Sequence, residues 1–109
     1  MTGIVAVTGA TGFVGSHIAL TLQKQGLVPR AVVRSPEKGA WMPGLAFARA
    51  DLNDPDALQK AFVGADAVMA NAALAIRRWA RWEQFEKANL TGTRNVLEAA
   101  ARAGVRRVL

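Results

Sequence analysis

Three glycines stand at positions 9, 12 and 15 of the run Thr8-Gly9-Ala10-Thr11-Gly12-Phe13-Val14-Gly15, directly after a β-branched segment and at the head of a helical pattern. In that setting each glycine has its own task. Gly9 permits a tight turn, Gly12 lets backbone N–H groups approach a diphosphate, and Gly15 lets the helix pack closely on the strand. The start of the helix adds unpaired N–H groups and the positive end of its dipole, both of which favour an anion. A glycine-rich turn with no ligand is the plainer alternative, and the strand–turn–helix context argues against it. The phosphate loop of nucleoside triphosphatases is a different pattern, since no Lys followed by Ser or Thr comes after the glycines.

A dinucleotide site of this kind reads its ribose at the end of the second strand, where an acid accepts from the 2′-OH and repels a 2′-phosphate. Arg34 holds that place here, with Lys38 in the loop behind it. A guanidinium pairs with a phosphate through charge-assisted, bidentate hydrogen bonds. The charge therefore predicts NADP(H), with NAD(H) as the alternative if Arg34 only stacks on adenine or faces water.

Other chemistries are poorly provided for. The chain has no Cys, no Tyr and a single His, which excludes disulfides and thiolate metal sites and leaves no metal cluster to assemble. His17 reads as a solvated helix residue. Neither a Ser/His/Asp nor a Cys/His set can be built, so no catalytic residue is assigned. The formal charge of +6, from 14 Lys and Arg against 8 Asp and Glu, favours an anionic partner. Arg77, Arg78 and Arg81 alternate with Trp79 and Trp82, a composition able to touch phosphates and stack on bases. A solvated face, with Trp79 and Trp82 forming one apolar stripe, is the simpler reading, and no nucleic-acid partner is expected.

These residues need a scaffold, and the chain alternates strand-like and helix-like stretches throughout. Ile4 to Val7 reads as a central strand buried on both faces, and Gly12 to Gln25 as a helix stopped by Gly26. Val28 to Arg34 reads as a second strand with Pro29 near its start, and Ser35 to Gly44 as a loop. Leu45 to Ala50 is a third strand, followed by Asp54 as N-cap and Pro55 as first residue of a helix ending near Phe62 and Gly64. Ala65 to Ala70 is a fourth strand, residues 81 or 82 to 103 a long helix closed by Gly104, and Val105 to Leu109 the start of a fifth strand. Alternation of this kind predicts an α/β fold, a doubly wound parallel sheet with right-handed crossovers and helices on both faces. No apolar run reaches the roughly 20 residues of a membrane span, and Met1 leads straight into a strand without a signal segment, so a cytoplasmic protein with no membrane partner is expected.

The glycine spacing TGATGFVG resembles that of the short-chain dehydrogenases and reductases, and is similar to their extended or atypical branch of epimerases, dehydratases and dihydroflavonol-reductase-like enzymes. Ala50-Asp51-Leu52 looks like that family's element after the third strand, which implies that Asp51 faces the adenine ring with Leu52 beside it. Asp66 to Ala73 resembles its fourth strand, implying that Asn71, Ala72 and Ala73 lie beside the cofactor; Ala70 replaces the usual His. Asn89 to Ala100 matches its fourth helix, where Asn89 corresponds to an Asn that bonds backbone and water near the catalytic group; a structural hydrogen bond in the helix is as good a reading of it as a proton relay. The glycine run, the charge at the end of the second strand and the resemblance together assign Gly9, Thr11, Gly12, Phe13, Val14, Gly15, Arg34, Lys38, Asp51, Leu52, Asn71, Ala72, Ala73 and Asn89 to cofactor binding.

The family's catalytic Tyr and the Lys four residues after it lie beyond the fifth strand, where this sequence stops. Val105, Val108 and Leu109 also call for covering structure. Residues 1–109 are therefore expected to be the incomplete cofactor domain of an NAD(P)-dependent oxidoreductase or sugar-nucleotide epimerase or dehydratase, acting on a small molecule at a carbon bearing oxygen. A non-catalytic NAD(P)-sensing regulator is the rival. The resemblance also implies a homodimer through the fourth helix.

Overall fold

Ile4–Thr8, β-branched at all but one position, forms the innermost strand, β1. The computed structural model describes residues 3–10, 13–34, 45–71 and 82–109, with Phe13 and residues 82–89 described in backbone only. After β1 come α1 (Phe13–Lys24), β2 (Val28–Val33), β3 (Ala46–Arg49), α2 (Pro55–Phe62), β4 (Ala67–Met69), α3 (Trp82–Arg102) and β5 (Arg107–Val108). Among the described residues the sheet has five strands in the order β3-β2-β1-β4-β5, and every pairing is parallel. The chain runs outward from β1 to β3 and then returns to the other side of β1. This is the doubly wound Rossmann order, as expected from the sequence, and its direction reverses between β1 and β4.

Period-two alternation sorts the strand side chains onto two cores. Val5, Val7, Ala31 and Val33 pack with Ile18 and Leu22 of α1, together with Phe47 and Met69. Ala6, Val32 and Val68 face the opposite way, against Leu58, Ala61 and Phe62 of α2 and Val96, Ala99 and Ala100 of α3. Phe62 and Leu58 are fully buried, so the α2–α3 side carries the bulkier core.

Helix ends follow the expected caps. The Asp54 carboxylate accepts from the Ala57 N–H at 3.1 Å and Pro55 takes the first helical turn, where its missing N–H has no partner to lose. Arg30 reaches from β2 to the other end of α2 and donates to the carbonyls of Ala61 and Val63 at 2.9 and 2.6 Å. A cation on the last carbonyls also complements the negative end of the helix dipole. Pro29 pairs with Val5 of β1 but lies one residue before the ladder to β3 begins at Arg30. Its missing donor therefore interrupts no bond on that side.

The strands are shorter than the sequence suggests, for identifiable reasons. Val105 is not strand: Gly104 adopts φ +78, and the Val105 N–H closes the α3 terminus by donating to Ala100 at 2.9 Å. Ala65 likewise donates to Phe62 in the turn that closes α2. Asp66 is a hinge between turn and strand, giving its N–H to the Ile4 carbonyl and accepting from the Ile4 N–H through Oδ2 at 3.1 Å. Arg34 falls outside β2, because the ladder to β3 ends where the Ala50 N–H meets the Val33 carbonyl.

Candidate functional site

All five strands point their C-terminal ends the same way, so the segments that follow them share one edge of the sheet. At the reversal between β1 and β4 the chain forms a close corner. Gly9 adopts φ +67, a left-handed conformation costly to residues bearing a Cβ. α1 then returns so near the turn that a Cβ on Gly15 would overlap the Gly9 carbonyl and stand 2.8 Å from Asn71 Nδ2. Gly15 is thus the close-packing glycine, and a side chain there would separate α1 from the strand ends. Thr8, 1% exposed, closes the corner from below. Its hydroxyl donates to the Met69 carbonyl at 3.3 Å and accepts from the Asn71 N–H at 3.0 Å, joining the ends of β1 and β4. The glycine run by itself gives Thr8 no role; its burial and its bonds across the strands supply one.

A second feature lies along the same edge at the ends of β2 and β3. Arg34, Arg49, Ala50, Asp51, Asp54 and Ala57 line an open cleft of about 350 Å³. Asp51 Oδ1 accepts from the Asn53 N–H at 2.9 Å, which folds the corner after β3 into an Asx turn. α3 holds that corner in place. Gly92 passes Leu52 so closely that an added Cβ would stand 3.2 Å from Leu52 Cδ1, and Asn95 Nδ2 donates to the Leu52 carbonyl at 2.7 Å.

The structure therefore brings Gly9, Gly15 and Asn71 together at the corner, and Arg34 and Asp51 together in the cleft. Leu52 is half-buried under α3, and Val14 is exposed on the first turn of α1. Thr11, Gly12, Lys38, Ala72 and Ala73 lie outside the described residues, as do the side chains of Phe13 and Asn89 and the segment holding Arg77, Arg78, Trp79 and Arg81. His17 is exposed on α1, as its sequence position suggests. Arg49 was missed: nothing in its local sequence separates it from any other strand-end cation, and only the β2–β3 register places it beside Arg34. Among the described residues no group of His, Cys, Asp or Glu could hold a metal ion, and no helix is long and apolar enough to cross a membrane.

The corner fits a dinucleotide. A left-handed Gly9, a Gly15 without room for a Cβ, and a position at the switch in strand direction are what a diphosphate lying against backbone requires. Comparison with known proteins points the same way. A family model described as NAD(P)H-binding matches residues 9–109. A ceramide reductase of Caulobacter vibrioides is 38% identical over 109 residues, covering 98% of this chain and 34% of that protein. A short-chain dehydrogenase/reductase superfamily protein from Agrobacterium tumefaciens, solved with bound NAD, matches with a TM-score of 0.78 and 34% identity over 96% of this chain and 31% of its own. An NADPH-dependent quinone oxidoreductase from Escherichia coli, solved with NADPH, matches with a TM-score of 0.77 and 28% identity over 95% of this chain and 35% of its own. The chain spans about a third of the length of the curated relatives it matches. On fold, corner and family match together, the chain belongs to the NAD(P)H-binding family, among the extended short-chain dehydrogenases, reductases and epimerases.

Proposed function

We propose that residues 1–109 are the cofactor-binding unit of an NADP-preferring oxidoreductase or sugar-nucleotide epimerase or dehydratase, acting on a hydroxyl or carbonyl carbon of a small molecule. The observation that carries this reading is the corner where Gly15 packs against Gly9 and Asn71. There the backbone of the glycine run would hold the diphosphate, with Thr11, Gly12, Phe13 and Val14 continuing the cradle. Asp51 and Leu52 would flank the adenine, and Asn71, Ala72, Ala73 and Asn89 would serve the nicotinamide side. Bound there, the nicotinamide ring supplies or accepts a hydride at C4.

Preference for NADP(H) rests on Arg34, which lines the cleft beyond β2 where an NAD-selecting acid would stand, with Lys38 following it in the chain. Among the described residues Arg34 is exposed and carries no ion pair, which leaves its guanidinium available to an anion. Binding the cofactor gives the chain's positive charge a partner without invoking nucleic acid. Two copies would pair through α3, whose exposed Leu90 and Leu97 lie seven residues apart on one helix face.

The test is cofactor affinity in Arg34→Ala. NADPH affinity should fall about tenfold while NADH affinity holds. A variant that keeps its NADPH preference, or a wild type that prefers NADH, would remove Arg34 from this role.

A further inference from the structure

We infer that Arg49, at the end of β3, is a second specificity-determining cation that acts with Arg34 as a two-arginine clamp for a phosphate monoester on the adenosine ribose. This rests on the nucleotide-site reading above. Val33 and Arg49 are partners in the β2–β3 ladder, so Arg34 stands one residue past Arg49's partner on a strand about 4.8 Å away. Both arginines line the same cleft, and both are exposed.

Charge makes the second arginine necessary. Asp51 and Asp54 line this cleft too, so Arg34 by itself would leave it net negative and hostile to a phosphate. With Arg49 the two guanidinium groups and the two carboxylates bring the cleft to neutrality, so a phosphate is no longer opposed by net charge. Each carboxylate also has one oxygen committed to a backbone N–H, Asp51 to Asn53 and Asp54 to Ala57, which steadies both. Among the described residues neither guanidinium pairs with either acid. A phosphate monoester presents three acceptor oxygens at about −1.5 to −2 charges near neutral pH, and two guanidinium forks supply more charge-assisted donors to it than a single one can. The ends of β2 and β3 thus bring two guanidinium groups to one cleft.

The probes are adenosine 2′,5′-bisphosphate and 5′-AMP, titrated calorimetrically into the chain. They differ only in the 2′-phosphate. Wild type should prefer the bisphosphate. Arg49→Gln should cut that preference about tenfold and leave 5′-AMP affinity within about twofold. Arg49→Lys should recover part of it, because the charge returns without the planar fork. Arg106→Gln removes one exposed charge outside the cleft and should leave the preference intact. If Arg49→Gln keeps the full preference while Arg34→Gln loses it, the clamp is wrong and NADP selection stands on Arg34. A wild type that binds both probes equally overturns the clamp and NADP selection together, and a folded chain that binds neither removes the nucleotide site itself.

Discussion

Asn95 donates from Nδ2 to the Leu52 carbonyl at 2.7 Å, so the corner that carries Asp51 into the cleft is held by a helix more than 40 residues further along the chain, |i−j| = 43. The bond is partly buried, and the peptide it satisfies belongs to a turn with no ladder partner of its own. Asn95→Leu keeps the volume and removes the donor. A loss of about 1–3 kcal/mol is expected from an acceptor left unsatisfied. For a domain of this size that lowers the melting temperature by roughly 4–8 °C per kcal/mol, readable by circular dichroism. An unchanged melt would mean that water replaces the amide.

Gly15 tolerates no side chain as the corner stands, because the new Cβ would meet backbone at Gly9 as well as the amide of Asn71. Gly15→Ala should displace the start of α1 and weaken cofactor binding by more than about tenfold, with the rest of the fold retained. Gly26→Ala is the comparison. It has φ +82 but open space around it, so it should cost only the left-handed strain of about 1–2 kcal/mol and leave binding alone. Equal binding losses in the two variants would argue for general destabilisation.

Arg30 ties β2 to the last carbonyls of α2, and its contribution is structural. Arg30→Met preserves the aliphatic stem and removes both donors. Denaturant unfolding should show a loss of about 1–3 kcal/mol in stability with little effect on cofactor affinity, since the side chain does not line the strand-end cleft.

Among the described residues Phe62 is the largest fully buried side chain, packed from α2 against α3 and the sheet. Phe62→Ala should cost about 3–5 kcal/mol, a large part of the stability of a domain this size. Phe62→Leu should cost far less, because most of the volume remains. Chemical denaturation of both variants measures the difference, and similar losses would mean that this core is loosely packed.

What the sequence disclosed was what local chemistry dictates. The tight turn at Gly9 and the close packing at Gly15, the Asp54–Pro55 helix start and the two-sided alternation of β1 and β2 all depend on residues within a few positions of one another, and the structure has them as expected. The strand ends were less legible. Val105 looks like strand by composition, but its N–H is taken by the α3 cap, and competition of that kind is visible only once Gly104 is known to turn left-handed. Features that join distant segments were hidden. Arg49 gains its neighbour Arg34 from strand register, Asn95 meets Leu52 across the packing of α3, and Arg30 finds α2 from across the sheet. Asn89 drew notice in the same helix as Asn95 because the family resemblance gave it a role, whereas the role of Asn95 comes from contact alone.

The central claim is that this chain carries a preformed dinucleotide site selective for a 2′-phosphate. Calorimetric titration with NADPH and then NADH, at low and moderate salt, tests it most directly. Saturable binding of one cofactor per chain is expected, with NADH at least about tenfold weaker and the gap narrowing as salt screens the cleft arginines. A chain that is folded by circular dichroism and binds neither cofactor would contradict it.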